Sequence, residues 1–305
     1  MLKYDVVVRV PGSTANLGSG FDCIGMALQL YTTIKMKKTS QTVIHTKGPN
    51  LKGLPIDKSN LIYKVAKLVF EKANLPIPEL EIIIESEIPL TRGLGSSAAA
   101  IIGGMVASNV IAGKPFTPEE LYQFATELEG HPDNVGASLF GGIVIAICGS
   151  TQVSYINVSP PKGLTTVVAI PDYELSTTLS RNLLPDSYSR SDTVHALSHS
   201  ALLAASLVSG NTSVLYKAMN DRIHQPFRMS LIPGMEELLT NSKHYGAVGI
   251  ALSGAGPAVI ALTEKDDGRL KQYMQSVLNE NGITSSILSL NPDIEGIKVE
   301  SFVNC

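Results

Sequence analysis

Short β-branched runs alternate with longer helical stretches along the chain, a pattern that predicts an α+β protein. Asp5 to Val10 reads as a strand and Met26 to Lys37 as a second, with a polar hairpin region to about Leu54. Ser59 or Asn60 caps a helix running to Lys72, and the apolar run from Leu80 to Ile88 is a strand. The small residues between Ala98 and Gly113 suit a buried helix with close neighbours. Thr117-Pro118-Glu119-Glu120 opens another helix, threonine as cap and proline at its first position, and Ile143 to Cys148 is an apolar strand.

Ser150 to Gly163 is polar and carries Pro160-Pro161, so a domain boundary falls there, giving units 1–157 and 158–305. The second unit reads as a strand from Thr165 to Ile170 and a loop through Leu184-Pro185. Helices follow from about Ser191 to Val208, from Thr212 to Ile223 and near Met235. Strands Ala247 to Leu252 and Pro257 to Leu262 flank Ser253-Gly254-Ala255-Gly256, and a helix from Leu270 to Leu278 precedes a last strand near Gly296 to Phe302.

Composition narrows the function more than the fold. With 44% hydrophobic residues among 305, a sizeable core is available. No tryptophan, 6% aromatic residues, a net charge of −3 and no basic stripe argue against nucleic acid as a partner. Cys23, Cys148 and Cys305 lack metal or redox spacing, which fits a reduced compartment, and Cys148 at the end of an apolar run reads as core. The chain enters a strand pattern without the sections of a signal peptide, and no apolar stretch is long enough to span a bilayer. The expectation is a cytoplasmic protein with no membrane partner.

Three segments carry candidate chemistry. Pro89-Leu90-Thr91-Arg92-Gly93-Leu94-Gly95-Ser96-Ser97-Ala98-Ala99-Ala100 lies between a strand and a helix. Its glycines let the backbone turn tightly, and the unpaired amides and dipole of the helix start favour a phosphate. Read by itself it is either such a cradle or a serine-capped helix start, and it lacks the Gly-Lys-Ser/Thr ending of the common P-loop. The small-residue loop from Pro11 to Asp22 offers Asn16 and Asp22, as ligand groups or as turn formers. Glu127-Leu128-Glu129-Gly130-His131-Pro132-Asp133-Asn134 crowds polar groups at a helix end, the arrangement of a cap or a site. His195 and His199, four apart, have no carboxylate to complete a zinc set and read as helix packing.

Pro89 to Ala99 resembles the phosphate-binding motif of the GHMP kinases. The loop Val10 to Asp22 is similar to that family's first motif and Leu252 to Pro257 to its third, so the resemblance spans nearly the whole chain. It implies a two-domain fold, with an N-terminal half like ribosomal protein S5 domain 2 and a ferredoxin-like C-terminal half. It also implies an ATP-dependent kinase with Mg²⁺. Ser13 and Thr14 stand where mevalonate kinases and galactokinases usually carry a lysine or arginine. That departure, with Gly130-His131-Pro132-Asp133-Asn134-Val135, resembles the members that phosphorylate L-homoserine on the way to threonine.

The same resemblance assigns residues. Asn16, Asp22, His131, Arg181 and Arg228 match substrate contacts. Asn60, the whole run Pro89 to Ala100, Ser253 and Gly254 match the ATP site. Ser97 and Glu127 match the metal pair, with Glu129 the less favoured acid because it lies on another helix face. Asp133 and Asn134 match the position that handles the acceptor hydroxyl, with Asn134 preferred. A homodimer is expected. The alternatives are a GHMP kinase for another small alcohol, mevalonate-like, and a non-catalytic binding protein on the same fold.

Overall fold

The computed structural model describes residues 4–149, 152–265 and 268–302, so Met1 to Lys3 at the N-terminus, Ser150 at the expected boundary and Cys305 lie outside the described residues. The first sheet has seven strands. β1 (Val6–Asn16) runs antiparallel to β2 (Gly20–Thr39), whose later part pairs with β4 (Glu79–Ser86) and whose earlier part pairs with β5 (Ile143–Cys148). β3 (Val43–Lys47) lies parallel to β4, and β6 (Val153–Val158) pairs with β5. β11 (Lys298–Phe302) closes the free side of β1. The last strand therefore belongs to the first sheet, although the division at 157 and 158 places it in the second unit.

Against this sheet lies α2 (Ser96–Ile111), apolar on nearly every face because it is covered on both sides. Gly103 faces Val10 and Ile34 of the sheet, and Gly104 faces Ile62 and Val65 of α1 (Leu61–Lys72). α3 (Pro118–Glu129) starts with the expected cap, Thr117 and Glu120 each bonding the other's backbone, and ends at Gly130 in a left-handed turn. α4 (Asp133–Phe140), which hydrophobic periodicity does not announce, follows after three residues.

The second sheet has the order β10-β7-β9-β8, from β7 (Thr165–Pro171), β8 (Gly249–Leu252), β9 (Val259–Thr263) and β10 (Ser285–Leu290). Alternation along β7 and β9 sends Val168, Ile170, Ile260 and Leu262 into the core shared with the first sheet. Val167, Ala169, Val259 and Ala261 go into a smaller core under α9 (Met235–Asn241) and α10 (Arg269–Glu280). Between β7 and β8 the chain makes α5 (Thr177–Asn182), α6 (Arg190–Ser209), α7 (Leu215–Ala218) and α8 (Gln225–Arg228). The helix expected from Thr212 to Ile223 stops at Ala218, and the Asp221 carboxylate caps the next turn by accepting the amides of Ile223, His224 and Gln225.

Small residues explain less of the strand pattern than expected. β1 continues through Gly12, Ser13, Thr14 and Ala15, because these buried residues pair with β2 as far as Asn16. Cys148 is exposed, not core, since β5 ends at the surface there. No helix among the described residues is long and apolar enough to cross a membrane.

The two glycines of α2 have opposite prospects. A Cβ on Gly104 meets Val65 at 3.2 Å, whereas one on Gly103 lies 2.5 Å from Ile34 Cδ1 and 2.9 Å from Val10. Gly104→Ala is expected to stay within about 1 kcal/mol of the parent, the helix-propensity gain of about 1 kcal/mol offsetting the tight contact. Gly103→Val is expected to cost about 2–3 kcal/mol by overpacking. Urea denaturation of both variants checks the difference.

Candidate active site

The loop after β4 reaches α2 through Gly93 (φ 79°) and Gly95 (φ 71°), and Gly95 is the residue that precedes the helix. Neither position has room for a side chain. A Cβ on Gly95 falls 2.1 Å from Ser13 Oγ, and one on Gly93 falls 2.2 Å from the Ser253 carbonyl oxygen. The loop is clamped by its neighbours. Ser13 N–H donates to the Leu94 carbonyl (3.1 Å), Ala258 N–H to the Arg92 carbonyl (3.1 Å) and the Ser253 hydroxyl to the Gly93 carbonyl (2.6 Å). The first-turn amides of α2 are thus held at one end of an open cleft lined by both halves of the chain.

Beside that end lies the turn between α3 and α4. Asp133, 1% exposed, accepts from the Asn134 backbone amide at 2.6 Å and pairs with His131 Nδ1 at 2.7 Å. Burial opposes a charged imidazole, but the hydrogen bond and charge of Asp133 outweigh it, and His131 titrates above its ordinary value. Ser13 Oγ donates to Asn134 Oδ1 at 2.9 Å, and the Asn134 amide nitrogen donates to Asp133 Oδ1 at 3.4 Å, with Asn134 lining the cleft. Ser13 is a positioning group that the sequence reading noted only for not being a lysine or arginine.

The metal pair expected from the sequence is Ser97 with Glu127, and the structure turns the two glutamates of this helix end to different sides. Glu127 takes a hydrogen bond from Gln123 (2.9 Å) and lies 3.9 Å from Lys72 Nζ on the outer face of α3. Two residues further, about 200° around the helix, Glu129 accepts from Ser97 Oγ at 3.0 Å and lines the cleft. Ser97 and Glu129 are hard oxygen donors open to solvent on one side, a donor set that fits Mg²⁺ with retained waters and phosphate oxygens.

The opposite wall is charged. Arg181 of α5 grips Asp22 through two hydrogen bonds, 2.7 and 2.9 Å, across the boundary between the two sheets. That contact raises the Arg181 pKa and holds the guanidinium charged. Deeper in, Arg228 is 1% exposed and reaches the carbonyl oxygens of Ser180 and Gly254, each at 3.2 Å, and His224 Nδ1 at 3.2 Å. No ion pair joins it to a carboxylate among the described residues. Burial, reinforced by Arg181, pushes its pKa down to about 10, so at neutral pH it remains a cation facing the cleft.

Not every residue marked in the sequence meets the cleft. Thr91, Gly93, Gly95, Ser96, Ser97 and Gly254 line it, with Asp22, His131, Asp133, Asn134, Arg181 and Arg228. Leu94, Ala98 and Ala99 are core residues of the α2 turn, and Ala100 packs against that core. Arg92 is turned away to the Asp172 carbonyl (2.7 Å), and Pro89 and Leu90 lead into the loop without lining the cleft. Ser253 is fully buried beneath Gly93, within 2.8 Å of Thr14 Oγ1. Asn60 stands apart as the cap of α1, accepting the Ile62 amide and donating to the Pro55 carbonyl. Asn16 borders the cleft with its amide already bridging the Asp22 N–H and the Gly254 carbonyl, each at 3.0 Å, so its first effect is to set Asp22 in place. His195 and His199 stack on each other on α6 and do not line the cleft, and the one cluster of metal-type ligands found among the described residues is Asp22, His131 and Asp133.

Comparison with known proteins places this geometry. The family model of the GHMP kinases N terminal domain matches residues 60–142, and that of the GHMP kinases C terminal matches residues 203–280. The chain is 42% identical over 295 residues to a homoserine kinase of Deinococcus radiodurans, covering 96% of each chain. It is 40% identical over 293 residues to a homoserine kinase of Moorella thermoacetica, covering 96% of this chain and 99% of that one. The crystal structure of homoserine kinase from Cytophaga hutchinsonii superposes with a TM-score of 0.86 at 28% identity over 98% of both chains. Mevalonate kinase of Methanococcus jannaschii, at 17% identity and a TM-score of 0.68, shares the fold.

The Asp22–Arg181 pair is about one-third exposed at each end, where an ion pair contributes little to stability. Asp22→Asn, which tolerates the local φ of 53°, is expected to change the unfolding free energy by less than about 1 kcal/mol. Chemical denaturation reads this directly. A loss of several kcal/mol would mean that the pair holds the fold together rather than facing a ligand.

Proposed function

The chain belongs to the GHMP kinase family, and on that premise we propose that it is a homoserine kinase, moving the γ-phosphoryl group of ATP to the side-chain hydroxyl of L-homoserine. The observation that carries the substrate is the pairing of a buried arginine with no carboxylate partner among the described residues, Arg228, with an acid across the same cleft, Asp22. A buried, unpaired cation is costly, and a substrate carboxylate offsets that cost. An amino acid brings the ammonium that suits Asp22 as well. Neither mevalonate nor a sugar carries both charges.

In this reading residues 1–157 supply the nucleotide end and residues 158–305 contribute Arg181 and Arg228. The phosphates rest on the amides of Gly95, Ser96 and Ser97, where the start of a sixteen-residue helix favours anions. Ser97 and Glu129 would hold Mg²⁺, which neutralises charge on the phosphate oxygens when bound. The acceptor hydroxyl lies against the Asn134 amide nitrogen, whose orientation Ser13 fixes through the amide oxygen. Asp133 is already engaged with His131 and the Asn134 amide, which favours positioning over proton abstraction. A loose transition state makes that sufficient, because the attacking oxygen keeps its proton until late, when an oxygen of the transferred phosphoryl group takes it as the bond to ADP breaks, and alignment supplies most of the acceleration. Binding L-homoserine requires Arg181 to release Asp22, so the ammonium takes over one partner of the ion pair and the carboxylate reaches the arginines.

A coupled ADP-release assay tests the reading. L-Homoserine is expected to be phosphorylated at a kcat/KM at least about 100-fold above that for mevalonate or galactose; turnover of either of these in preference to homoserine sinks it.

Variants test the roles. Glu129→Gln is expected to lower kcat on the order of 100-fold, the scale of losing one charge-stabilising group, while Glu127→Gln stays within about twofold as an exposed surface change. Asn134→Ala is expected to lower kcat more than Asp133→Asn, and the reverse order, confined to Asp133, would restore a general base.

A further inference from the structure

His224 is fully buried in the turn before α8, and nothing in the reaction described above uses it. Its Nε2 lies 2.8 Å from the Gly18 carbonyl oxygen, and its Nδ1 lies 3.2 Å from Arg228 Nη1. A carbonyl oxygen only accepts and a guanidinium only donates, so one state of the ring satisfies both contacts: the neutral imidazole with its hydrogen on Nε2. The surroundings hold the ring in that place. Asp221 accepts the backbone amide of His224, Phe21 stacks on the ring at 4.9 Å, and Gly18 is pressed so closely against Met219 that a Cβ there falls 1.9 Å from the Met219 carbonyl oxygen.

We propose that His224 is the positioning residue that aims Arg228 at the substrate carboxylate and ties it to the turn carrying Asp22, so that the sites for the two substrate charges are set as one unit. This rests on the reading of Arg228 as the carboxylate ligand. Among the described residues the other hydrogen bonds of Arg228 go to the Ser180 and Gly254 carbonyls, and its guanidinium lies over the Phe21 ring at 5.4 Å, a broad contact that does not fix the direction of its N–H groups. His224 links the two sides of the cleft, since Gly18 lies in the β1–β2 turn four residues before Asp22.

Protonation undoes the arrangement by setting an Nδ1–H against an Arg228 N–H. The charged groups around the ring are Asp221, whose Oδ2 lies 3.5 Å from Nε2, Arg228, and Asp22 from β2, with Arg181 of α5 and Tyr188 beyond Arg228. Burial is the largest influence and Arg228 adds to it, so that despite Asp221 the ring titrates below the ordinary histidine value. The folded-state value being depressed, the neutral form holds through neutral pH and the loss appears only on the acid side of about 6.5. It appears in the KM for L-homoserine and not in the KM for ATP.

The test measures KM for both substrates and kcat from acid to alkaline pH, with thermal unfolding as a control. His224→Phe keeps a ring against Phe21 and loses both hydrogen bonds; it is expected to raise the homoserine KM on the order of 10-fold or more, with kcat and the ATP KM within about threefold. His224→Asn puts an amide oxygen near the place of Nδ1; it is expected to recover most of that loss and to abolish the acid-side rise in homoserine KM. Unchanged homoserine KM in a folded His224→Phe protein overturns the proposal, as does an equal rise for both substrates. Should His224→Phe fail to fold, an acid-side rise that persists unaltered in His224→Asn overturns it. Arg228→Gln separates the two claims. If it leaves the homoserine KM unchanged, the carboxylate reading fails; if it raises KM while both His224 variants match wild type, only the positioning role fails.

Discussion

Gly93 is where three distant segments of chain are pressed into contact, and the site depends on that contact. Its carbonyl takes the Ser253 hydroxyl, its missing Cβ makes room for the Ser253 carbonyl, and its neighbours Arg92 and Leu94 bond Ala258 and Ser13. Ser253 in turn touches Thr14, and the Gly254 amide donates to Ala15. None of these backbone segments can shift alone. The phosphate-binding turn, the β1 segment that holds Asn134 and the Ser253 to Gly256 turn that contacts Arg228 are therefore fixed relative to one another, across the join between the two sheets. For a reaction accelerated mainly by alignment, such a junction is the main requirement.

The charged residues use that rigidity. Arg228 is a cation deep in the cleft, surrounded by carbonyl oxygens and His224, with no carboxylate bonded to it among the described residues. Arg181 and Asp22, nearer solvent, neutralise each other. The cleft therefore presents one permanent unmet charge and one exchangeable pair. A zwitterion satisfies both at once: its carboxylate serves the buried arginine while its ammonium replaces Arg181 at Asp22. A ligand with only the ammonium leaves Arg228 unmet, and one with only the carboxylate leaves Arg181 on Asp22 and out of reach of the substrate.

The sequence made the main elements and all three glycine-rich segments legible, because glycine spacing at a strand–helix junction and apolar periodicity are local signals. What it hid was orientation and long-range pairing. Glu127 and Glu129 differ only in which side of α3 they occupy, and helical phase at a terminus becomes decidable once Gly130 is seen to end the helix and turn Glu129 toward Ser97. Asn60 reads in the sequence as a ligand or as a cap, and the structure shows the cap, with its amide bonded to Ile62 and Pro55. The return of β11 to β1 has no local signature, and α4 is short and set in polar sequence. Ser13 and His224 look ordinary in sequence, since their importance lies in partners 121 and 206 residues away.

The most direct test of a cleft built for both charges of an amino acid is a comparison of kcat/KM for three alcohols: L-homoserine, 3-amino-1-propanol, which lacks the carboxylate, and 4-hydroxybutyrate, which lacks the ammonium. The account predicts that each truncation lowers kcat/KM at least about 100-fold, because loss of the carboxylate leaves the buried Arg228 unpaired and loss of the ammonium forgoes the contact with Asp22 and keeps Arg181 from the substrate carboxylate. Phosphorylation of either truncated alcohol as efficiently as L-homoserine would contradict it.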